Sequence, residues 1–171
     1  NVGANVSYVL KYEQGEFTYG GVKVSGAYEA SGYANYDRLP GTISKWRGQF
    51  YADYSHGSHN LRWTINYTDG VKDNRGPTTV QTGSSSNCNV ANATAGTATN
   101  CKLITFGLKQ DAFISHDLTY RLLLPKDITL TASVLNVLDT DPPGARIEYS
   151  YDPFIGNPYG RTFKLSVRQT F

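Results

Sequence analysis

The chain closes on the stretch 159-YGRTFKLSVRQTF-171, in which Phe163, Leu165, Val167 and Phe171 take odd positions while Thr162, Lys164, Ser166, Arg168 and Thr170 take even ones. In an extended strand a two-residue period puts these sets on opposite faces. One face is apolar, the other is hydroxylic and cationic, and the final residue is an aromatic ring.

The same period recurs upstream. Val2, Ala4, Val6, Tyr8, Leu10 and Tyr12 alternate with small or polar residues, and Val22, Val24, Tyr28 and Ala30 alternate with Lys23, Ser25 and Glu29. Trp46, Phe50, Ala52 and Tyr54 make a third set, and Leu61, Trp63, Ile65 and Tyr67 a fourth. A fifth ends with Leu118, Tyr120, Leu122 and Leu124 and starts near Leu103, and Ile128, Leu130, Ala132 and Val134 form a sixth. With the closing strand the pattern predicts seven strands, and no segment reads as an amphipathic helix.

Loop lengths alternate. Short turns are expected at 13–17, 55–60 and 125–127, and long connections at 31–45, 69–102 and 139–158. In an up-and-down antiparallel sheet every second connection lies on the same edge, so all long loops share one side. Short turns opposite long loops, with strands of about 9 to 13 residues, are the layout of an outer-membrane barrel. Trp46, Tyr54, Tyr67 and Tyr159 are expected at its interfacial girdles. A soluble β-sandwich with one buried face is the alternative from strand alternation alone. Seven strands do not close a bacterial barrel, whose strand number is even. Residues 1–171 are therefore expected to be the C-terminal barrel segment of a larger protein, with earlier strands outside this chain.

Composition agrees with an all-β chain: aromatics make up 13% of the residues, Tyr numbers 13, Gly 17 and Met 0. The net charge of +2 is too small to argue for nucleic acid as a partner. No run of 18 apolar residues occurs, which excludes a membrane-spanning helix and leaves a barrel open. The start, NVGANVSY, has neither a basic region nor an apolar signal core. Cys88 and Cys101 lie in a polar stretch, where a disulfide would stabilise the loop by about 3 kcal/mol and imply an oxidising compartment. Two unpaired thiols are the other reading.

The segment 116-HDLTYRLLLPKDITLTASVLNVLDTDPP-143, its Tyr-rich loop and the closing strand resemble the C-terminal end of TonB-dependent receptors of Gram-negative outer membranes. The matching features are Asn136-Val137-Leu138-Asp139 leading into a Pro-containing loop, Gly160-Arg161 opening the last strand, and the terminal Phe. Residues 39–73, with their Trp-Arg strand, short turn and Tyr-Asp-Gly strand exit, are similar to an earlier part of that family. The resemblance covers essentially the whole chain, and its specific part is the last fifty or so residues.

The resemblance implies an antiparallel transmembrane segment forming the last seven strands of a 22-stranded, plugged barrel. Phe163, Leu165, Val167 and Phe171 would face lipid, with Phe171 read by the outer-membrane assembly machinery as an insertion signal. Arg161, at the outer rim, would meet lipopolysaccharide phosphates. Partners would be the rest of the barrel and its plug, TonB through that plug, and a small-molecule or oligosaccharide ligand. The function implied is import of a scarce ligand such as an iron-siderophore, a cofactor or an oligosaccharide. A soluble carbohydrate-binding or adhesive domain is the alternative, and a barrel enzyme a third class.

Enzymatic chemistry is not expected: no Gly-rich phosphate loop, Ser-His-Asp set or pair of catalytic carboxylates emerges, and no cofactor motif does. His56 and His59 in SHGSH read as solvated turn residues, lacking a third metal ligand. His116 and Asp117 point to opposite faces of a strand. Asp69, Asp73, Asp139, Asp141 and Asp152 fall in long loops as candidate calcium ligands, but without EF-hand spacing they read as ordinary turn residues. Asn92-Ala93-Thr94 matches a glycosylation sequon. Two loop segments remain as candidate ligand contacts. One is the polar stretch 76–101. The other is 147–160, whose Tyr149, Tyr151, Phe154 and Tyr159 suit stacking on a sugar or flat chelate, or an interfacial girdle.

Overall fold

The computed structural model describes residues 1–75, 78–82, 102–106 and 109–170. Cys88, Cys101, the Asn92 sequon and Phe171 lie outside the described residues. The described chain is all-β. Its strands are β1 (Val2–Tyr8), β2 (Glu13–Gln14), β3 (Phe17–Tyr19), β4 (Val22–Ser25), β5 (Tyr28–Glu29), β6 (Trp46–His56), β7 (His59–Thr68) and β8 (Val71–Lys72). They are followed by β9 (Thr78–Thr82), β10 (Lys102–Phe106), β11 (Lys109–Gln110), β12 (Phe113–Leu124), β13 (Ile128–Leu135) and β14 (Thr162–Gln169).

Six of these make the principal sheet, in the order β1-β6-β7-β12-β13-β14, every neighbouring pair antiparallel. The expected count of seven is corrected to six. Val22–Ala30 is not a strand of the principal sheet: Gly20 and Gly21, both at positive φ, fold β4 back on β3 as a local hairpin, and β5 pairs with β2. β1 bonds directly to β6 from Val2↔Ala52 to Tyr8↔Trp46, so 9–45 is one long connection and the short turn expected at 13–17 lies inside it. The alternation of loop lengths survives. Connections 9–45, 69–112 and 136–161 share one edge, and the turns 57–58 and 125–127 share the other.

The register unites the faces of separate strands. Val2, Ala52, Trp63, Leu118, Val134 and Phe163 form one row across all six strands. One residue along, Asp53, Arg62, Thr119, Ser133 and Lys164 form a row on the opposite face. A slip by one residue would exchange the two faces throughout, so the register is strongly specified. Bonds tie the polar face together: Arg62 donates to both oxygens of Asp53 at 2.8 and 2.7 Å, Gln49 to Asn66 at 3.0 Å, and Asn66 to Asp117 at 2.8 Å.

The apolar face has no covering layer among the described residues. Phe163, Leu165 and Val167 are 73%, 74% and 67% exposed, and Phe50, Trp63 and Ile114 are exposed as well. Tyr8 and Trp46 meet at its long-loop rim as a tilted pair, with ring centroids 4.3 Å apart. Tyr54 and Tyr120 stand toward the short-turn rim. The buried apolar cluster among the described residues, Ala34, Val71, Phe113 and Ile155 with Tyr36 packed against it, lies elsewhere, at the long-loop edge. Phe113 pairs with Thr68, which pairs with Arg47, so the cluster stands on the polar side of the sheet.

The fifth strand predicted from near Leu103 is interrupted. The β7–β12 ladder ends at Thr68↔Phe113 and resumes as β8 with β11 at Val71↔Gln110. Gly70 lies in the break, where a Cβ would come within 2.3 Å of the Gln110 carbonyl oxygen. No larger residue fits that approach.

Candidate functional site at the long-loop edge

Three connections converge at this edge and are fastened by two buried polar groups. The first centres on Asp152, 1% exposed. It accepts hydrogen bonds from the Tyr36 hydroxyl at 2.7 Å, the Phe154 amide at 2.9 Å and the Thr42 hydroxyl. Gln110 in turn donates to the Tyr36 oxygen. Burial and the Asp152 carboxylate push the Tyr36 phenol well above its ordinary range, keeping it a donor. This single carboxylate joins connections 9–45 and 136–161, with the β8–β11 hairpin attached through Gln110.

The second centres on Asp73, also buried. Arg75 donates to it from its side chain at 3.0 and 2.8 Å and from its backbone at 2.9 Å, and Arg146 pairs with it at 3.1 Å. Burial pushes the Asp73 carboxyl up, but the Arg75 bonds and both guanidinium charges outweigh it and hold the group below the usual carboxylate range. Arg75 also donates to the Arg146 carbonyl at 2.6 Å. Arg47, on the polar face, reaches up to the Phe154 carbonyl at 3.0 Å. The loops therefore lean over the polar face.

Two cavities open among them. One, of about 410 Å³, lies between Asp73, Lys109 and Gln110 on the hairpin and Gly144, Ala145, Arg146 and Ser150 on the last connection. The other, of about 360 Å³, is lined by Ser31, Gly32, Tyr33, Lys45, Lys72 and Lys109 among others. Both have the size of small-molecule sites and are rich in cations and hydrogen-bonding groups.

Of the four candidate aromatics, Tyr149 and Tyr151 come together, with ring centroids 6.3 Å apart. Ser150 between them lines the larger cavity. Phe154 and Tyr159 are exposed and make no ring contact among the described residues. Two further loop aspartates have structural partners: Asp69 accepts from Tyr67 at 3.1 Å and Asp139 from the Arg161 amide at 2.7 Å. Among the described residues no three His, Cys, Asp or Glu side chains gather as a metal site. His116 lies on the apolar face, stacked 5.6 Å from Trp63, while Asp117 lies on the polar face.

Sequence reasoning missed Tyr36, Arg75, Gln110 and Arg146, and it read Asp73 and Asp152 as ordinary turn residues. Tyr36 and Asp152 are separated by 116 positions, a pairing that no local pattern announces. No protein-family model, curated protein or solved structure matches the chain.

Proposed function

We propose that this chain is the C-terminal barrel segment of a TonB-dependent receptor in a Gram-negative outer membrane, importing a scarce ligand such as an iron-siderophore, a cofactor or an oligosaccharide. The observation that carries the reading is the continuous apolar face, aligned across six strands, exposed, and backed by a bonded polar face. Exposed apolar area on this scale marks a membrane or protein contact. A soluble sandwich would bury it under a second sheet. Strands β6 and β12, of 11 and 12 residues, extend about 35 to 40 Å, or about 27 to 30 Å along the membrane normal at a tilt near 40°.

Six strands suit the same barrel as well as seven did. As the last six of 22, the first is odd-numbered and runs outward, so a long external connection follows it. The free edges of β1 and β14 pair with the preceding strand and the barrel's first strand, since an open edge has no place in lipid. Phe171 acts as the assembly signal, Arg161 meets lipopolysaccharide, and TonB engages the plug. The two cation-rich cavities, the larger of them beside Tyr149 and Tyr151 through Ser150, face outside and take part in ligand capture.

The test is sidedness. In the complete protein with its native cysteines, Cys88 and Cys101 among them, replaced by Ser, Tyr149→Cys reacts on intact cells with a maleimide too large to cross the outer membrane, and Ser58→Cys reacts only after permeabilisation. Labelling of Ser58→Cys on intact cells, or recovery of the protein in the soluble fraction, overturns the proposal.

A further inference from the structure

At the short-turn edge, far in register from the loop cluster, His56 and His59 close the β6–β7 hairpin as direct partners across the turn 57–58. Gly57 supplies the positive φ of 55° there. Opposed residues of an antiparallel pair hold their Cβ atoms about 4.5 to 5.5 Å apart on one face. That spacing lets two imidazoles converge on one ion at metal–nitrogen distances of about 2.0 to 2.1 Å. Both histidines are exposed, and the His56 side chain makes no hydrogen bond among the described residues.

His59 is held differently. Its Nδ1 lies 2.6 Å from the Tyr120 hydroxyl. A histidine that ligates a metal commonly engages its other ring nitrogen in such a bond, which sets the tautomer and the ring orientation. In the tautomer whose Nδ1–H donates to the Tyr120 oxygen, the Nε2 lone pair is left for a ligand bond.

We infer that His56 and His59 form a two-imidazole site for a divalent transition metal of intermediate softness, Cu²⁺, Ni²⁺ or Zn²⁺, with water in the remaining positions. Tyr120 is its positioning residue. Imidazole ligands favour these ions, and Cu²⁺ binds tightest of the three. The site is separate from the ligand-capture loops and does not rest on the transport reading.

The complete protein, stripped with chelator in detergent, is titrated with Cu²⁺ and followed by calorimetry and electron paramagnetic resonance. The wild type is expected to bind one equivalent with the signature of two imidazole nitrogens. His56→Ala and His59→Ala each weaken binding by about tenfold or more and leave a single-imidazole signature. Tyr120→Phe weakens binding by about tenfold while keeping two nitrogens. Wild-type affinity in the doubly substituted protein, or fewer than two imidazoles in the wild type, overturns the site. Unchanged affinity in Tyr120→Phe overturns the positioning role.

Discussion

Asn136 leaves β13 at φ 50°, in the left-handed region, and binds itself into the turn: its Nδ2 donates to the Thr140 carbonyl at 2.8 Å and its Oδ1 accepts from the Thr140 amide at 3.0 Å. Three residues on, the Asp139 carboxylate receives the Arg161 amide, and at Gly160, φ 60°, a Cβ would sit 2.8 Å from that carboxylate. The Asn136-to-Asp139 and Gly160-Arg161 signatures are therefore the two halves of one closure. Asn136→Ala is expected to destabilise the protein by about 2 to 3 kcal/mol, from lost buried hydrogen bonds and left-handed strain, whereas Leu138→Ala at an exposed position stays within about 0.5 kcal/mol. Denaturant unfolding in micelles measures both, and equal effects would refute the closure. The two halves stood out in the sequence only through the resemblance that carries them, and the bond that joins Asp139 to the Arg161 amide was not legible there. Asp152 and Asp73 were not legible either, since a buried carboxylate and a solvated turn aspartate look alike until their distant donors are placed.

Strand faces were legible because alternation is a local property, and the register confirms that apolar sets read strand by strand fall into shared rows. Alternation does not name a strand's neighbour. Val22 and Val24 found theirs in Phe17–Tyr19 across Gly20-Gly21, a turn pair favouring tight hairpins, rather than in the principal sheet. Face assignment can be tested at one strand. Leu165 lies in the row of Ala132, Tyr120, Leu61 and Tyr54, while the adjacent Ser166 faces the side that already carries Lys164 and Arg168. Under the membrane reading, Leu165→Arg costs about 2 to 4 kcal/mol and reduces the heat-modifiable, folded form on gels, and Ser166→Arg leaves it intact. Equal yields would remove the lipid-facing assignment of Phe163, Leu165 and Val167 together.

At the scale of the whole molecule, the sheet and the loop cluster are held by different forces. Ladder bonds and paired side chains hold the sheet, whereas the cluster rests on a small apolar core and two buried carboxylates at one end of it. Stability is seldom uniform across such a division, and the part with less buried apolar area opens first. Replacing Asp152 separates the two. In Asp152→Ala the Tyr36 hydroxyl and the Phe154 amide lose their common acceptor, while the Thr42 hydroxyl keeps the Ala34 carbonyl, and the two lost bonds cost about 2 to 4 kcal/mol together. That loss falls on the cluster alone, because no strand residue of the principal sheet bonds to the Asp152 side chain among the described residues. Hydrogen exchange resolved along the chain is expected to show faster exchange over 30–44 and 140–157, by a factor of about 30 to 1,000, with β7, β12 and β13 unchanged. Uniform acceleration of the sheet and the cluster would mean that they unfold as one unit, and the loops could then not loosen over the polar face while the strands stay in place.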